Sequence, residues 1–115
     1  MAGFPQTPEQ LRENAMFVYV GRITDVRERE VPVDDGTNLL VEADMDVEEV
    51  EQALLGPGEE HPTLHYWRAG SREPGWTGDT GQFSPIEAGT RIRAFVEYDV
   101  DGKAQLLEPN GWEPA

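Results

Sequence analysis

The chain has 115 residues, no cysteine and a formal net charge of −14, with 23 Asp and Glu against 9 Lys and Arg. A chain of this length can bury one hydrophobic core without disulfides or a zinc–thiolate staple, so a single domain spanning 1–115 is expected. The charge repels a phosphate backbone, which sets nucleic acid aside, and no apolar run approaches the roughly 20 residues that insert across a bilayer.

No basic start followed by an apolar core marks a secretory signal. Met1-Ala2-Gly3 reads as a natural start or as a remnant of cloning. The lack of cysteine does not assign a compartment. The acidity suits a basic protein partner, and it equally suits plain solubility.

Residues 1–7 read as a flexible tail. Thr7-Pro8-Glu9-Gln10 then marks a helix start: Thr7 caps, Pro8 suits the first helical position, and Gln10 completes a capping box. The helix is expected over 8–15, with Leu11 and Ala15 on one apolar stripe. FVYVGRITDV (17–26) is rich in β-branched and aromatic residues and reads as a strand covered on both faces at Phe17 to Val20. Gly21 interrupts it, as at a bulge or a barrel corner. The charged run 27–30 carries the chain out to solvent, and Asp34-Asp35-Gly36 turns it.

The clearest pattern follows. Leu39, Val41, Ala43, Met45 and Val47 alternate with Leu40, Glu42, Asp44, Asp46 and Glu48. Period two is a half-buried strand, with the odd positions inward. Gly56-Pro57-Gly58 ends its less regular continuation through Val50, Leu54 and Leu55. A third strand is expected over 63–69. A long loop over 70–89 carries Trp76 and Phe83, and loops of that length in small domains are more often functional. A fourth strand over 90–99 and a fifth over 104–109 flank the turn at Asp101-Gly102. Residues 110–115 read as a second flexible tail. The whole is mostly β: a five-stranded barrel with one short N-terminal helix.

The order FVYVGRITDVRE, a long alternating strand ending in EVEQALLGPG, a short strand, a glycine-rich loop and GTRIRAFVEYDVDG resembles an OB barrel. The form it resembles is that of the tissue inhibitors of metalloproteinases, the netrin modules and their secreted bacterial relatives. The resemblance covers about residues 15 to 108. It implies an OB-like fold and an extracytoplasmic binding role. Those inhibitors reach the protease zinc through an N-terminal cysteine, which this chain lacks, so their inhibitory chemistry transfers to no residue here.

Among chemistry-bearing groups, Glu42, Asp44, Asp46 and Glu48 share one strand face. Neighbours on that face sit about 6.7 Å apart, too far for adjacent members alone to chelate one cation. The row is either paired by arginines on a neighbouring strand (Arg22, Arg91 or Arg93), a docking face for a basic partner, or, as the weakest reading, part of a calcium site completed by another segment. His61 and His65 lie about 13 Å apart on a strand, which rules out joint metal ligation. Neither Ser71 nor Ser84 sits in a nucleophile motif. No catalytic residue, metal site or cofactor is therefore assigned. Trp67 is expected in the core. Trp76, with Phe83, reads as a plug over a barrel end or as a ligand platform. The residues point to a noncatalytic binding or interaction module. A small-molecule or carbohydrate site on the 70–89 loop is the alternative, and a hydrolase built on paired carboxylates is the weaker one. Oligomeric state is not legible.

Overall fold

The computed structural model describes residues 4–76 and 78–115. The elements run α1 (Pro8–Asn14), β1 (Phe17–Val33), β2 (Gly36–Ala53), β3 (Thr63–Arg72), β4 (Arg91–Tyr98), β5 (Ala104–Leu106) and β6 (Trp112–Pro114). Neighbours in the sheet follow the order β1-β2-β3-β5-β4, and β4 pairs back onto β1. That last pairing closes a five-stranded OB-like barrel. Every pair is antiparallel except β3–β5. Closure leaves no open edge around the ring, which is how a small β domain avoids edge pairing with other chains.

Closure demands a bent β1. Its first residues, Phe17 to Arg22, pair with β4 on one side and β2 on the other. The register against β2 slips between Val18 and Tyr19, between Val20 and Gly21, and between Ile23 and Asp25. Each slip is a bulge that sharpens the twist of the strand. Gly21 sits at a close approach of β1 to β2: a Cβ there would lie 2.0 Å from the carbonyl oxygen of Asp46. The expected bulge at this glycine is therefore present, and its cause is contact with β2.

The barrel interior is filled by alternate residues of each strand. Phe17, Tyr19 and Ile23 enter from β1, Val41, Ala43 and Met45 from β2, and Leu64 and Tyr66 from β3. Ile92, Ala94 and Val96 from β4 and Ala104 and Leu106 from β5 complete it. A fully buried Ile, Met or Leu stabilises by roughly 1.5 to 3 kcal/mol. Of the five odd positions predicted inward on β2, Val41, Ala43 and Met45 are buried. Leu39 and Val47 lie at either end of this run and are only partly covered. One end of the barrel is stopped by Ile86, from the β3–β4 connection. It is 3% exposed, and its amide donates to the Tyr66 hydroxyl at 3.0 Å. Trp76 belongs to neither core cluster, so it does not plug the barrel.

Helix α1 starts with the expected capping box. The Thr7 hydroxyl accepts from the Gln10 amide at 3.2 Å, and the Gln10 side chain accepts from the Thr7 amide at 2.9 Å. Leu11 and Ala15 pack on Val18, Phe95 and Leu107, outside the barrel wall. This second cluster explains why Phe17 to Val20 are apolar on both faces. Glu51 of β2 adds a polar clamp. It accepts from Arg12 of the helix at 2.8 Å and from Arg93 of β4 at 2.7 Å. Arg93 first, then Arg12, hold its carboxyl down at about 2. A carboxyl lowered on folding stabilises above its unfolded pKa and loses that contribution as pH falls toward the folded value. The stability that Glu51 supplies should therefore drain away between about pH 5 and pH 2. Glu51→Gln should cost about 1 kcal/mol at neutral pH and flatten part of that acid slope. Denaturant titrations of both proteins across this range check it.

Several boundaries differ from expectation. β1 runs on to Val33, because the charged run 27–30 stays paired with Glu42 to Leu39 instead of leaving the sheet, and β3 runs on to Arg72, which pairs with Gly36 of β2. β5 stops at Leu106 rather than 109. The C-terminal stretch read as a flexible tail forms β6, whose Trp112 to Pro114 pair with Ala94 to Ile92. β5 and β6 thus share one edge of β4, end to end. At the other terminus, Gln6 is tied to Asn110 through both backbone groups: its amide donates to Oδ1 at 2.9 Å and its carbonyl accepts from Nδ2 at 2.9 Å.

Candidate binding face

The even-numbered residues of β2 from Leu40 to Glu48 point outward, beside His65 and Trp67 of β3 and the charged stretch of β1. The four carboxylates of the row are brought onto one face, and each finds a partner. Asp44 receives both nitrogens of the Arg27 guanidinium, at 2.8 and 3.1 Å, and the Thr63 hydroxyl at 2.7 Å. Arg27 and then Thr63 hold its carboxyl down at about 2. The same bonds push the Arg27 guanidinium up. Asp46 meets His61 Nδ1 at 2.8 Å, and Glu48 accepts from Arg91 at 2.7 Å. Glu42 lies 4.0 Å from both Arg27 and His65.

The row is thus an internal ladder, with a different principal partner from those expected. Of Arg22, Arg91 and Arg93, only Arg91 reaches it. Arg22 donates to the Gly89 carbonyl and Arg93 to Glu51. The missed partner is Arg27, which the register sets directly opposite Glu42 and beside Asp44. Charge reversal at Asp44 and Asp46 puts lysines against Arg27 and His61. The double variant should melt a few degrees lower, and a thermal melt beside the parent checks this.

At the Glu42 end of the ladder lies a groove of about 440 Å³. Its floor is Leu40, Glu42, His65 and Trp67, and its far wall is the β4–β5 turn with Asp99, Asp101 and Lys103. Arg27 and Arg29 stand at the near wall. Asp99 makes the turn rigid. Its Oδ1 accepts from the amides of Asp101 and Lys103, both at 2.9 Å, and its Oδ2 from the Gln105 side chain at 3.0 Å. The bond from the Lys103 amide is the first cause of its lowered pKa. Trp67, expected in the core, faces outward and is half-buried. Its covering is the segment 79–82: the Gln82 amide donates to the Trp67 carbonyl at 2.9 Å. Gly81 lies against the indole with φ +68, where a Cβ would meet Trp67 Cδ2 at 2.8 Å.

Trp76 and Phe83 are not brought together. Trp76 stacks under the Arg72 guanidinium, 4.6 Å from ring centre to Cζ. Phe83 is 48% exposed and lines a separate hollow with Pro109, Trp112 and Pro114. The 70–89 loop therefore holds no shared aromatic platform. Among the described residues, no group of three or more His, Asp or Glu is placed to hold a metal ion.

The fold and this face define the chain as a closed five-stranded barrel of OB-like form with a mixed-charge groove on the outer surface of β2 and β3. Comparison with protein families, with curated proteins and with solved structures returned no match.

Proposed function

We propose that the protein is a noncatalytic binding module that takes a mixed-charge peptide segment of a partner in the groove between Arg27 and the Asp99–Lys103 turn. The observation that carries this reading is the composition of the groove. It joins an aromatic floor at Trp67 to cations at Arg27, Arg29 and Lys103 and to anions at Glu42, Asp99 and Asp101. Both signs within one concavity suit a ligand that offers both. The face also corresponds to the one that OB barrels use for their ligands, the outer side of strands 2 and 3 beside the 4–5 turn. The net charge of −14 weighs against the oligonucleotides bound there by other barrels. The resemblance to netrin-type modules supports the same reading and adds an extracytoplasmic setting.

Protein-observed NMR tests it. Short peptides carrying alternating charges around an aromatic residue should shift the amides of Leu40, Glu42, His65, Trp67 and Lys103. Trp67→Ala should weaken binding about tenfold. Shifts confined to another face, tight binding of neutral oligosaccharides in place of peptides, or turnover of any probe would overturn the reading.

A further inference from the structure

A second concave surface lies at the end of the barrel where the β2–β3 connection folds over it. Glu59 pins that connection. Its amide donates to the Tyr19 hydroxyl at 3.1 Å, and its carboxylate accepts from the Tyr98 hydroxyl at 2.6 Å. The two hydroxyls are themselves 2.8 Å apart. Burial, Glu59 and Tyr19 all push the Tyr98 phenol up, so its hydroxyl keeps the proton that it donates to Glu59 at neutral pH. The connection is thus held as a wall rather than left loose.

Against that wall opens an apolar cleft of about 320 Å³, lined by Met16, Phe17, Leu55, Pro57 and Tyr98. A second groove of about 370 Å³ adjoins it through Pro57, Gly58 and Glu59, and carries Glu48, Glu49, Val50 and Glu60. Leu54 is 63% exposed, Leu55 67% and Val50 38%. Leu55 lines the cleft and Val50 the adjoining groove, and exposed aliphatics gathered along one concave surface mark a surface with a use. Neither concavity has an arginine or lysine in its lining. Of its carboxylates, Glu48 is met by Arg91, while Glu49 and Glu60 make no ion pair among the described residues.

We infer that this end of the barrel docks a basic segment of a partner protein, with one apolar side chain seated between Leu55 and Tyr98 and cationic side chains alongside Glu49 and Glu60. The complementarity of charge selects this occupant. Anionic lipid and nucleic acid meet only carboxylates here, and a second copy of the chain brings the same negative charge to the contact. The site is separate from the Trp67 groove and shares no lining residue with it.

The test uses the full chain and a library of short synthetic peptides, each with arginines flanking an apolar pair. The best binder should shift the amides of Leu55, Gly58 and Glu60. Leu55→Ser leaves the fold intact, because the side chain is two-thirds exposed. It should weaken that peptide about tenfold, as should Glu49→Gln combined with Glu60→Gln. Replacing the apolar pair of the peptide by serines should do the same. Binding that survives Leu55→Ser or the serine peptide would overturn the inference, as would shifts at Trp67 or a library with no binder. Leu55-dependent self-association in sedimentation, or equal binding to phosphatidylcholine vesicles, would assign the cleft to a different occupant and overturn it as well.

Discussion

Gly21→Val should destabilise the domain by about 3 kcal/mol or more. A Cβ at this position falls 2.0 Å from the Asp46 carbonyl oxygen and 2.9 Å from Val47 Cα. Both are backbone atoms of β2, so no side chain can swing aside to make room. Relief requires β1 and β2 to separate at the bulge that lets β1 serve two neighbours at once. Overpacking of well-filled sites costs about 1 to 3 kcal/mol, and a clash against rigid backbone belongs at or beyond the top of that range. A domain of this size holds only about 5 to 15 kcal/mol in all. Urea denaturation followed by far-ultraviolet circular dichroism measures the loss. An unchanged midpoint would mean that the strands are not packed this closely at Gly21.

Ile86→Ala should destabilise by about 2 to 5 kcal/mol. The side chain is nearly inaccessible and closes the barrel beside Tyr66. Its truncation leaves a cavity that the strands, held in register all round, cannot collapse to fill. Trp76→Ala supplies the contrast. The indole is half-buried on the surface, and the interaction it loses is the stacked Arg72 guanidinium. Such a contact at a semi-exposed site is worth about 0.5 to 1 kcal/mol, although the tryptophan is far the larger residue. Chemical denaturation of the two single variants settles the order. A larger loss at Trp76 than at Ile86 would show that the tryptophan is the true stopper.

That contrast shows where local pattern stops being informative. The alternation from Leu39 to Val47 identified a strand and its inward face because period two is a property of the chain alone. The helix cap and the Gly21 bulge were legible for the same reason. Ile86 was not. It stands between Pro85 and Glu87 in a loop, with no periodicity around it, and its burial depends wholly on where β3 and β4 place the ends of that loop. Trp76 drew attention through size and glycine neighbours, yet its partner is an arginine four residues earlier on a strand that was expected to have ended.

The candidate face was legible in part. Glu42, Asp44, Asp46 and Glu48 do share one surface, as their spacing requires. Their main partner, Arg27, was hidden by a boundary error: a charged run read as leaving the sheet is in fact paired strand, held there by the β1–β2 hairpin. Trp67 was misjudged because a strand beside the solvent carries aromatic residues on either face, and the segment that covers its outer side is remote in sequence. The Asp99–Lys103 wall of the groove carried a turn signal but nothing that pointed to β3. The pairing of β3 with β5, which brings the two together, is parallel and nonlocal.

Closure through β1 and β4 has a consequence in time. The β1–β2 hairpin can form early, since only Asp34 and Asp35 separate its strands. The seam cannot, because it sets Phe17 against Val96 and Arg22 against Arg91, at opposite ends of the chain. Joining them carries the loop-closure entropy of almost everything between, before the interior is sealed. Chains dominated by such distant pairings fold on the order of milliseconds to seconds. Any chain whose seam is open leaves Ile23, Met45 and Tyr66 without the covering of the closed barrel, and the repulsion among its acidic side chains then opposes contact between one unfinished molecule and the next.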